Sequence, residues 1–222
     1  MSQILIIAEH DGATLNPGTA KCVTCARAIT GTGGGSVDLL VLAADAAPIA
    51  EQAATLEGVD RVLAVSGTHL ATPLAVNWAP EVAALAGNYT HLLGPSSTFG
   101  KDLMPRIAAL LGVNQVSDVM AVEGTHAFKR PIYAGNAIID VRAPEDATVV
   151  ATVRNASWKA AAESTDVAAV EAREATGAAA SHTRFLGLKT GDAERPDLQT
   201  AGVVVSGGRA LGSAEGFEII YR

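Results

Sequence analysis

Short apolar runs alternate with longer amphipathic stretches over the first half of the chain. The runs are rich in β-branched residues, which is typical of strands that are covered on both faces. Predicted strands span Gln3–Glu9, Val37–Ala43, Arg61–Val65 and Thr90–Leu93. Predicted helices span Pro17–Thr30, a stretch from near Pro48, a stretch from near Pro73 to about Ala86, and Asp102–Leu111. This alternation predicts an α/β fold, with a mostly parallel sheet and helices on both faces.

Turn residues mark both ends of the first predicted helix. Asn16 is a favourable N-cap residue, and Pro17 suits the first helical position. Gly31 and the run Gly33–Gly35 are expected to end the helix. These glycines follow a helix and precede a strand, which is the reverse of the order in a dinucleotide-binding phosphate loop. The loop after the first strand, residues 10–18, also lacks that glycine pattern, so we do not expect an ordinary NAD-binding domain.

The pattern changes after Gly112, where strands follow one another without helices between them. These strands are predicted over Val116–Val122, Ala127–Tyr133, Ala137–Val141 and Thr148–Val153. They predict a meander that forms an antiparallel extension of the sheet. The stretch Ser157–Ser181 is rich in Ala and Glu with little aliphatic patterning, which indicates either a surface excursion or a flexible connection.

A polar stretch near the C-terminus divides the chain into two predicted domains. Thr183–Thr190 alternates as a strand does, and Gly191–Thr200 is polar and contains Pro196. We therefore place an N-terminal α/β domain at residues 1–190 and the incomplete start of a second α/β domain at residues 191–222.

The second domain is expected to begin with a strand over Ala201–Val205. The glycine loop Ser206–Ser213 follows, and Ala214–Tyr221 predicts the first turns of a helix. One strand and part of one helix cannot bury a core, so we expect the sequence to be truncated within this domain.

Composition narrows the class of protein. The chain is 49% hydrophobic and 18% charged, so it can bury a core. Aromatic residues make up only 4%, which suits helices packed closely on a buried sheet better than a β-sandwich. The net charge of -7, without a cluster of Lys and Arg, argues against binding to nucleic acid or to anionic membrane surfaces.

The N-terminus shows no targeting signal. Met1–Ala8 is a short apolar run without a basic region, and acidic Glu9 follows at once, so a first strand is expected rather than a signal peptide. No apolar run is long enough to insert into a membrane. We expect a cytoplasmic protein, or a mitochondrial matrix protein if a presequence has been removed.

The sequence predicts neither catalytic residues nor a metal site. Cys22 and Cys25 form a C-x-x-C pair, but the pair lies inside a predicted helix rather than at its N-terminus, where redox pairs are activated. Two small side chains on one helix face are the favoured interpretation. The five histidines have no zinc-binding spacing, and the chain contains no G-x-S-x-G nucleophile motif.

The loop Ser206–Ser213 carries the chemistry of an anion-binding turn. It has the order strand, glycine loop and helix, and its glycines Gly207 and Gly208 would let the backbone approach a ligand closely. A helix N-terminus offers unpaired N–H groups, and Arg209 adds a fixed positive charge. Arginine is common in such turns, so spacing alone also allows a solvated turn without a ligand.

Several segments resemble the alpha subunits of electron-transfer flavoproteins. Val203–Leu211 is similar to the opening of the flavin domain in that family, with Ala210 in place of a common glycine. The other similar segments, in the order of the family, are Ile4–His10, Leu93–Asp102, Gly112–Val119 and Phe128–Ala137. The family's later flavin-site motifs, including a second arginine near the flavin, do not occur in this sequence.

The resemblance implies an electron carrier rather than an enzyme. In the intact alpha subunit, FAD would contact Ser206, Gly207, Gly208 and Arg209, whereas this fragment alone is expected to bind no FAD. The N-terminal domain would pair with a beta subunit that holds AMP. Electrons would pass from dehydrogenases such as acyl-CoA dehydrogenases to a quinone oxidoreductase. The alternative is a stand-alone adenine-nucleotide-binding α/β domain acting as a sensor, with its nucleotide at the carboxyl ends of the first strands.

Overall fold

The structure is a computed structural model that describes residues 1–187, 198, 201 and 203–221. It contains two compact units, Met1–Phe185 and Leu186–Arg222, which we call the first and second unit. All of the predicted boundary Gly191–Thr200 except Leu198 lies outside the described residues, so its position stays a prediction. Of the predicted strand Thr183–Thr190, residues 183–187 are described and are not in a strand.

The first unit holds all ten strands and all four α-helices of the described residues. The strands are β1 (Ser2–Ile7), β2 (Gly35–Ala43), β3 (Arg61–Ser66), β4 (His91–Pro95), β5 (Gln115–Val119), β6 (Ala121–Gly124), β7 (Ala127–Ile132), β8 (Ala137–Arg142), β9 (Val149–Val153) and β10 (Ala169–Glu174). The helices are α1 (Pro17–Gly33), α2 (Ala47–Ala54), α3 (Ala75–Leu85) and α4 (Thr98–Leu111). None of the helices in the described part of the chain is both long enough and apolar enough to cross a membrane.

Seven strands form one sheet in the order β10-β3-β2-β1-β4-β9-β5, and every neighbouring pair in it is parallel. Side chains of β1 alternate between its two faces. Ile4 and Ile6 pack with α1 and α2, whereas Leu5 and Ile7 pack with α3 and α4. The sheet is therefore covered by helices on both faces, and the predicted α/β class is confirmed.

The antiparallel strands form a small sheet of their own, in the order β6-β7-β8. Only a single 3₁₀ turn, Tyr133–Gly135, lies between β7 and β8. The predicted extension of the main sheet differs in detail, because β5 and β9 join that sheet as parallel neighbours. Parallel neighbours need a long crossover connection, and β6-β7-β8 supplies it in place of a helix. Phe128, which is buried with 1% exposed, packs this small sheet against the core.

The predicted helix stop is formed by Gly34, whereas Gly31 and Gly33 lie inside α1 and Gly35 allows a close approach between strands. Asn16 caps the start of α1 by accepting a hydrogen bond from Gly18 N at 2.8 Å. The helix continues through Gly31 and is capped at its end by Gly34, with φ at +72°. A Cβ atom on Gly35 would lie 1.9 Å from Ser2 O, so only glycine allows β2 to start beside β1.

The stretch Ser157–Ser181 contains an edge strand, and its first part docks on the helices as a surface excursion. Glu57 N donates to Ala162 O at 2.8 Å, and Ala168 N donates to Ala54 O at 2.9 Å. The chain then forms β10, which pairs with β3 at the edge of the main sheet.

The second unit contains short 3₁₀ helices, Arg209–Leu211 and Glu215–Ile220. Within the predicted strand Ala201–Val205, the described residues 201 and 203–205 are not in a strand. A strand needs a neighbouring strand to bond with, and the described part of this unit contains no such strand. The helix predicted over Ala214–Tyr221 is present only as the second of the two 3₁₀ helices.

Candidate functional site

The glycine loop of the second unit is open to a ligand at its centre. A Cβ atom on Gly208 would meet nothing within 4 Å, and Arg209 beside it is exposed. Gly212, with φ at +74°, ends the turn and donates its N–H to Arg209 O at 3.1 Å. Gly207 instead faces the unit's own apolar side chains, since its Cβ would lie 3.2 Å from Phe217 Cε1.

This loop fits one contact to FAD but does not enclose the flavin. A three-residue 3₁₀ turn has no appreciable helix dipole, so the expected helix N-terminus is absent from the described residues, and the attraction for an anion rests on Arg209. Arg209 makes no salt bridge with any described residue. None of the described residues of the second unit is buried, so they form no apolar pocket for a flavin ring.

In the first unit, the place where an α/β sheet binds ligands is the crevice between β1 and β4. The chain adds strands on one side of β1 as far as β3 and then crosses to β4 on the other side. Ligands of open parallel sheets bind at the carboxyl ends of the strands where the order reverses in this way. This crevice is therefore where the adenine nucleotide of the alternative function would lie.

Two residues of the protein itself lie against Gly18, in the first turn of α1 at this crevice. A Cβ atom points toward the N-terminus of its helix, and on Gly18 it would lie 2.9 Å from Asn155 Nδ2 and 3.2 Å from Pro95 Cβ. A Cβ atom on Gly100 would lie 1.8 Å from Pro95 O, so the first turn of α4 also packs closely against the end of β4. A phosphate placed against Gly18 would therefore meet Asn155. The buried oxygens Ser96 Oγ and Asn155 Oδ1 make no hydrogen bond to the described residues and are suited to hold an ordered water molecule.

Glu9 adds a carboxyl group at the same crevice. Its Oε2 accepts a hydrogen bond from Ser97 Oγ at 2.8 Å, and Thr19 Oγ1 accepts from Glu9 N at 3.0 Å. Burial raises the pKa of Glu9 and outweighs the bond from Ser97, which lowers it. An ionised carboxylate here repels phosphate, so the crevice is poorly suited to a nucleotide.

The two cysteines are packed in the core. Cys22 and Cys25 lie in α1, both with 0% exposed, and both thiols are free. Burial raises the pKa of each thiol, which keeps it protonated and unreactive. Across the described ranges, no group of three His, Cys, Asp or Glu side chains is placed to hold a metal ion.

A charged cluster at the opposite, amino end of the sheet is structural and was not predicted. Asp38 of β2 is 3% exposed, and its Oδ2 accepts hydrogen bonds from Arg61 Nε at 3.2 Å and from Tyr89 OH at 2.7 Å. Burial and the bond to Asp38 raise the pKa of Tyr89 to about 12. Arg61 also contacts Glu171 at 3.2 Å, which ties β10 to the sheet.

Comparison with known proteins identifies relatives over nearly all of the chain. Residues 4–178 match the family described as electron transfer flavoprotein domain. The electron transfer flavoprotein subunit alpha of Pseudomonas aeruginosa is 42% identical over 98% of this chain and 69% of its own length. The subunit alpha of Paracoccus denitrificans is 39% identical over 98% of this chain and 68% of its own length. The probable mitochondrial electron transfer flavoprotein subunit alpha of Caenorhabditis elegans is 38% identical over 100% of this chain and 65% of its own length. The chain thus spans about two thirds of the length of these relatives.

Proposed function

Because the chain belongs to the electron transfer flavoprotein family, as a relative of its alpha subunits, we propose that it acts as the alpha subunit of an electron carrier that works through FAD. The observation that carries this proposal is the similarity to alpha subunits over 98% of the chain. When bound, FAD supplies the redox chemistry, and the protein binds and orients it. The protein itself is a carrier subunit rather than an enzyme.

We assign the contact with FAD to Ser206, Gly207, Gly208 and Arg209. The exposed guanidinium of Arg209 can donate hydrogen bonds to a phosphate or to a polar edge of the flavin. The open space at Gly208 lets the ligand approach the backbone. The apolar surroundings of the flavin ring would have to come from the rest of a full-length subunit, because none of the described residues of the second unit is buried.

The first unit would serve as the scaffold that pairs with a beta subunit, and that beta subunit would hold AMP. Electron donors would be acyl-CoA dehydrogenases or related dehydrogenases, and the acceptor would be a quinone oxidoreductase. This role implies a place in the bacterial cytoplasm or the mitochondrial matrix, in keeping with relatives from both sources. Co-expression with a beta subunit and size-exclusion chromatography tests the pairing. Separate elution of the two chains would contradict it.

The role of Arg209 is tested by flavin content. A charge-assisted contact contributes about 1.5–3 kcal/mol, so Arg209→Ala in a full-length subunit should weaken FAD binding about 10- to 100-fold. Arg106→Ala, at an exposed position of α4, is the control and should leave flavin content unchanged. The ratio of FAD to protein after purification is the measurement. Unchanged retention in the Arg209 variant would remove this assignment.

The alternative, an adenine-nucleotide sensor, is less well supported by the crevice between β1 and β4. Asn155 and Pro95 lie against Gly18 in the first turn of α1, and Glu9 adds a carboxyl group. We therefore expect isothermal titration of the chain with AMP and ATP to show no binding. Binding that is lost when Gly18 is replaced by Ala would favour the sensor instead, because that change narrows the crevice.

A further inference from the structure

A six-residue segment leaves the edge of the main sheet. Its first residue, Ala175, packs on the core and donates its N–H to Ser66 O at 2.9 Å, and the rest is held against α3 by hydrogen bonds. We propose that this segment, Ala175–Ala180, is a releasable strap and that Glu81 is the residue that keeps it docked. The strap follows β10 and precedes the end of the first unit at Phe185. Docking and release of the strap would be a conformational change within the first unit, a property beyond the proposed carrier function.

Glu81 gathers hydrogen bonds from both the strap and the domain. Its side chain is 5% exposed, and Oε2 accepts from Thr176 N at 3.1 Å and from Thr176 Oγ1 at 3.2 Å. Oε1 accepts from Gly177 N and faces His69 Nε2 at 3.3 Å. A buried carboxylate is costly unless it is paired in this way, so the strap and Glu81 stabilise each other.

Asn77 provides a second contact from the same face of α3. It lies four residues before Glu81, and residues at this spacing are neighbours on a helix. Asn77 Oδ1 accepts a hydrogen bond from Ala180 N at 2.9 Å, and Asn77 Nδ2 donates to His69 O at 3.0 Å. The strap is thus held near both ends by side chains of one helix.

Two glycines make room for the docked strap. A Cβ atom on Gly67 would lie 2.7 Å from Ala175 Cβ, and one on Gly177 would lie 2.6 Å from Glu81 Oε1. Neither glycine has the left-handed backbone that favours this residue for its conformation. Both positions therefore need glycine for space. At Gly177 the crowding exists only while the strap is docked, whereas at Gly67 the Cβ atom would also lie 3.1 Å from His69 Cε1.

Little apolar surface opposes release of the strap. Residues 176–179 are exposed, so docking depends on the hydrogen bonds to Glu81 and Asn77 rather than on burial. Ordering the backbone carries an entropic cost for each residue, which these bonds must offset. The balance makes the strap the part of this edge that opens most readily. Release would free residues 176–185, which can extend by about 33 Å at 3.3 Å per residue.

Hydrogen exchange in the full chain tests the role of Glu81. In Glu81→Gln, the amides of Thr176 and Gly177 should exchange about 10- to 100-fold faster, because their bonds to a charged acceptor are lost. The amide of Ala180, which is bonded to Asn77 Oδ1, should also exchange faster because the whole strap opens. Amides of the core strand β1 should exchange as in the unchanged protein. Glu51→Gln, at an exposed glutamate of α2, is the matched control and should alter none of these rates.

A second variant separates loss of the strap from damage to the domain. Gly177→Ala keeps the Glu81 carboxylate and places a Cβ atom too close to it, so it should accelerate the same strap amides. Gly177→Ala also tests the proposal if the Glu81 variant does not fold. Unchanged strap rates in Gly177→Ala would overturn the proposal. Equal acceleration of strap and β1 amides would also overturn it, because Glu81 would then stabilise the whole domain rather than hold a strap.

Discussion

Replacing Asp38 removes the centre of the charged cluster at the amino end of the sheet. Its Oδ2 atom accepts from Arg61 Nε at 3.2 Å and from Tyr89 OH at 2.7 Å. In Asp38→Ala, the hydroxyl of Tyr89, a residue only 7% exposed, loses its acceptor, and Arg61 keeps only its contacts to Tyr89 OH at 3.4 Å and to Glu171 at 3.2 Å. The cluster joins β2, β3 and the loop before β4, so this change should lower the stability of the whole sheet.

The size of the effect follows from how much water can reach each partner. Breaking a buried ion pair typically costs about 3–5 kcal/mol. The side chain of Arg61 is 43% exposed, so water restores part of its solvation, and we expect a loss of about 2–3 kcal/mol for Asp38→Ala. Asp38→Asn keeps an oxygen that can accept from Tyr89 and should cost about 1 kcal/mol.

Urea unfolding followed by circular dichroism measures these losses, with an unchanged dependence on urea concentration as the sign of an intact fold. Asp140→Ala is the control, because Asp140 pairs with Lys129 at 2.6 Å but its side chain is 76% exposed, and it should change stability by less than about 0.5 kcal/mol. Tyrosinate absorbance gives a second readout. The pKa of Tyr89, about 12, should fall in Asp38→Ala but stay above its usual value because burial remains. A loss below about 0.5 kcal/mol with an unchanged Tyr89 titration would refute the reasoning.

Other positions give sharp expectations from the same structure. Burial raises the pKa of Glu9, so the folded state resists its ionisation; Glu9→Gln should raise stability at pH 7, and the gain should vanish below about pH 4, where the carboxyl is protonated in both states. Gly35→Ala should cost at least about 2 kcal/mol in thermal or urea unfolding, since the new Cβ would lie 1.9 Å from a backbone oxygen. Gly31→Ala, exposed within α1 and free of close neighbours, should instead gain about 0.5–1 kcal/mol. A thiol reagent should label Cys22 and Cys25 only after denaturation, and rapid labelling of the native protein would contradict their burial.

The central strands could be predicted from the sequence because their own residues show that both of their faces are buried. A strand covered on both faces must be apolar throughout, and Ile4–Ile7 of β1 are all buried with 0% exposed. The start of α1 could also be predicted from a local signal, because Asn16 caps the helix and Pro17 occupies its first position. These elements need no knowledge of distant partners.

Pairings between distant segments could not be predicted in this way. β10 lies at a sheet edge with Glu171 and Arg173 in its middle, so it shows neither an apolar run nor clean alternation. It is a strand because β3 offers a free edge. The parallel pairing of β5 with β9 was missed for a similar reason. Consecutive strands without helices between them suggest that each strand pairs with the next one in the sequence, whereas β5 and β9 are separated in the chain by the three strands of the small sheet.

The candidate site was predicted only from a local signal, and its contact with a ligand stays a prediction. The loop Ser206–Ser213 was predicted from its glycines between a strand and a helix, whereas the described residues 203–205 are not in a strand and a 3₁₀ turn forms at Arg209–Leu211. The closed crevice at Gly18 could not be read from the sequence, because it is made by Asn155 from a distant turn. Glu81 was missed likewise, since its partners Thr176 and Gly177 are far along the chain.

The strand order has a consequence for synthesis on the ribosome. β5 lies at the edge of the main sheet, and its one neighbour there, β9, is made only after residues 120–148. At about 5–20 residues per second, β5 waits a few seconds for its partner. The hairpin strands β6, β7 and β8 are completed during that time and can pair with one another locally. Arg130 of β7 donates to Ser117 O of β5 at 2.7 Å, so the small sheet can hold this edge in place until β9 arrives between β4 and β5.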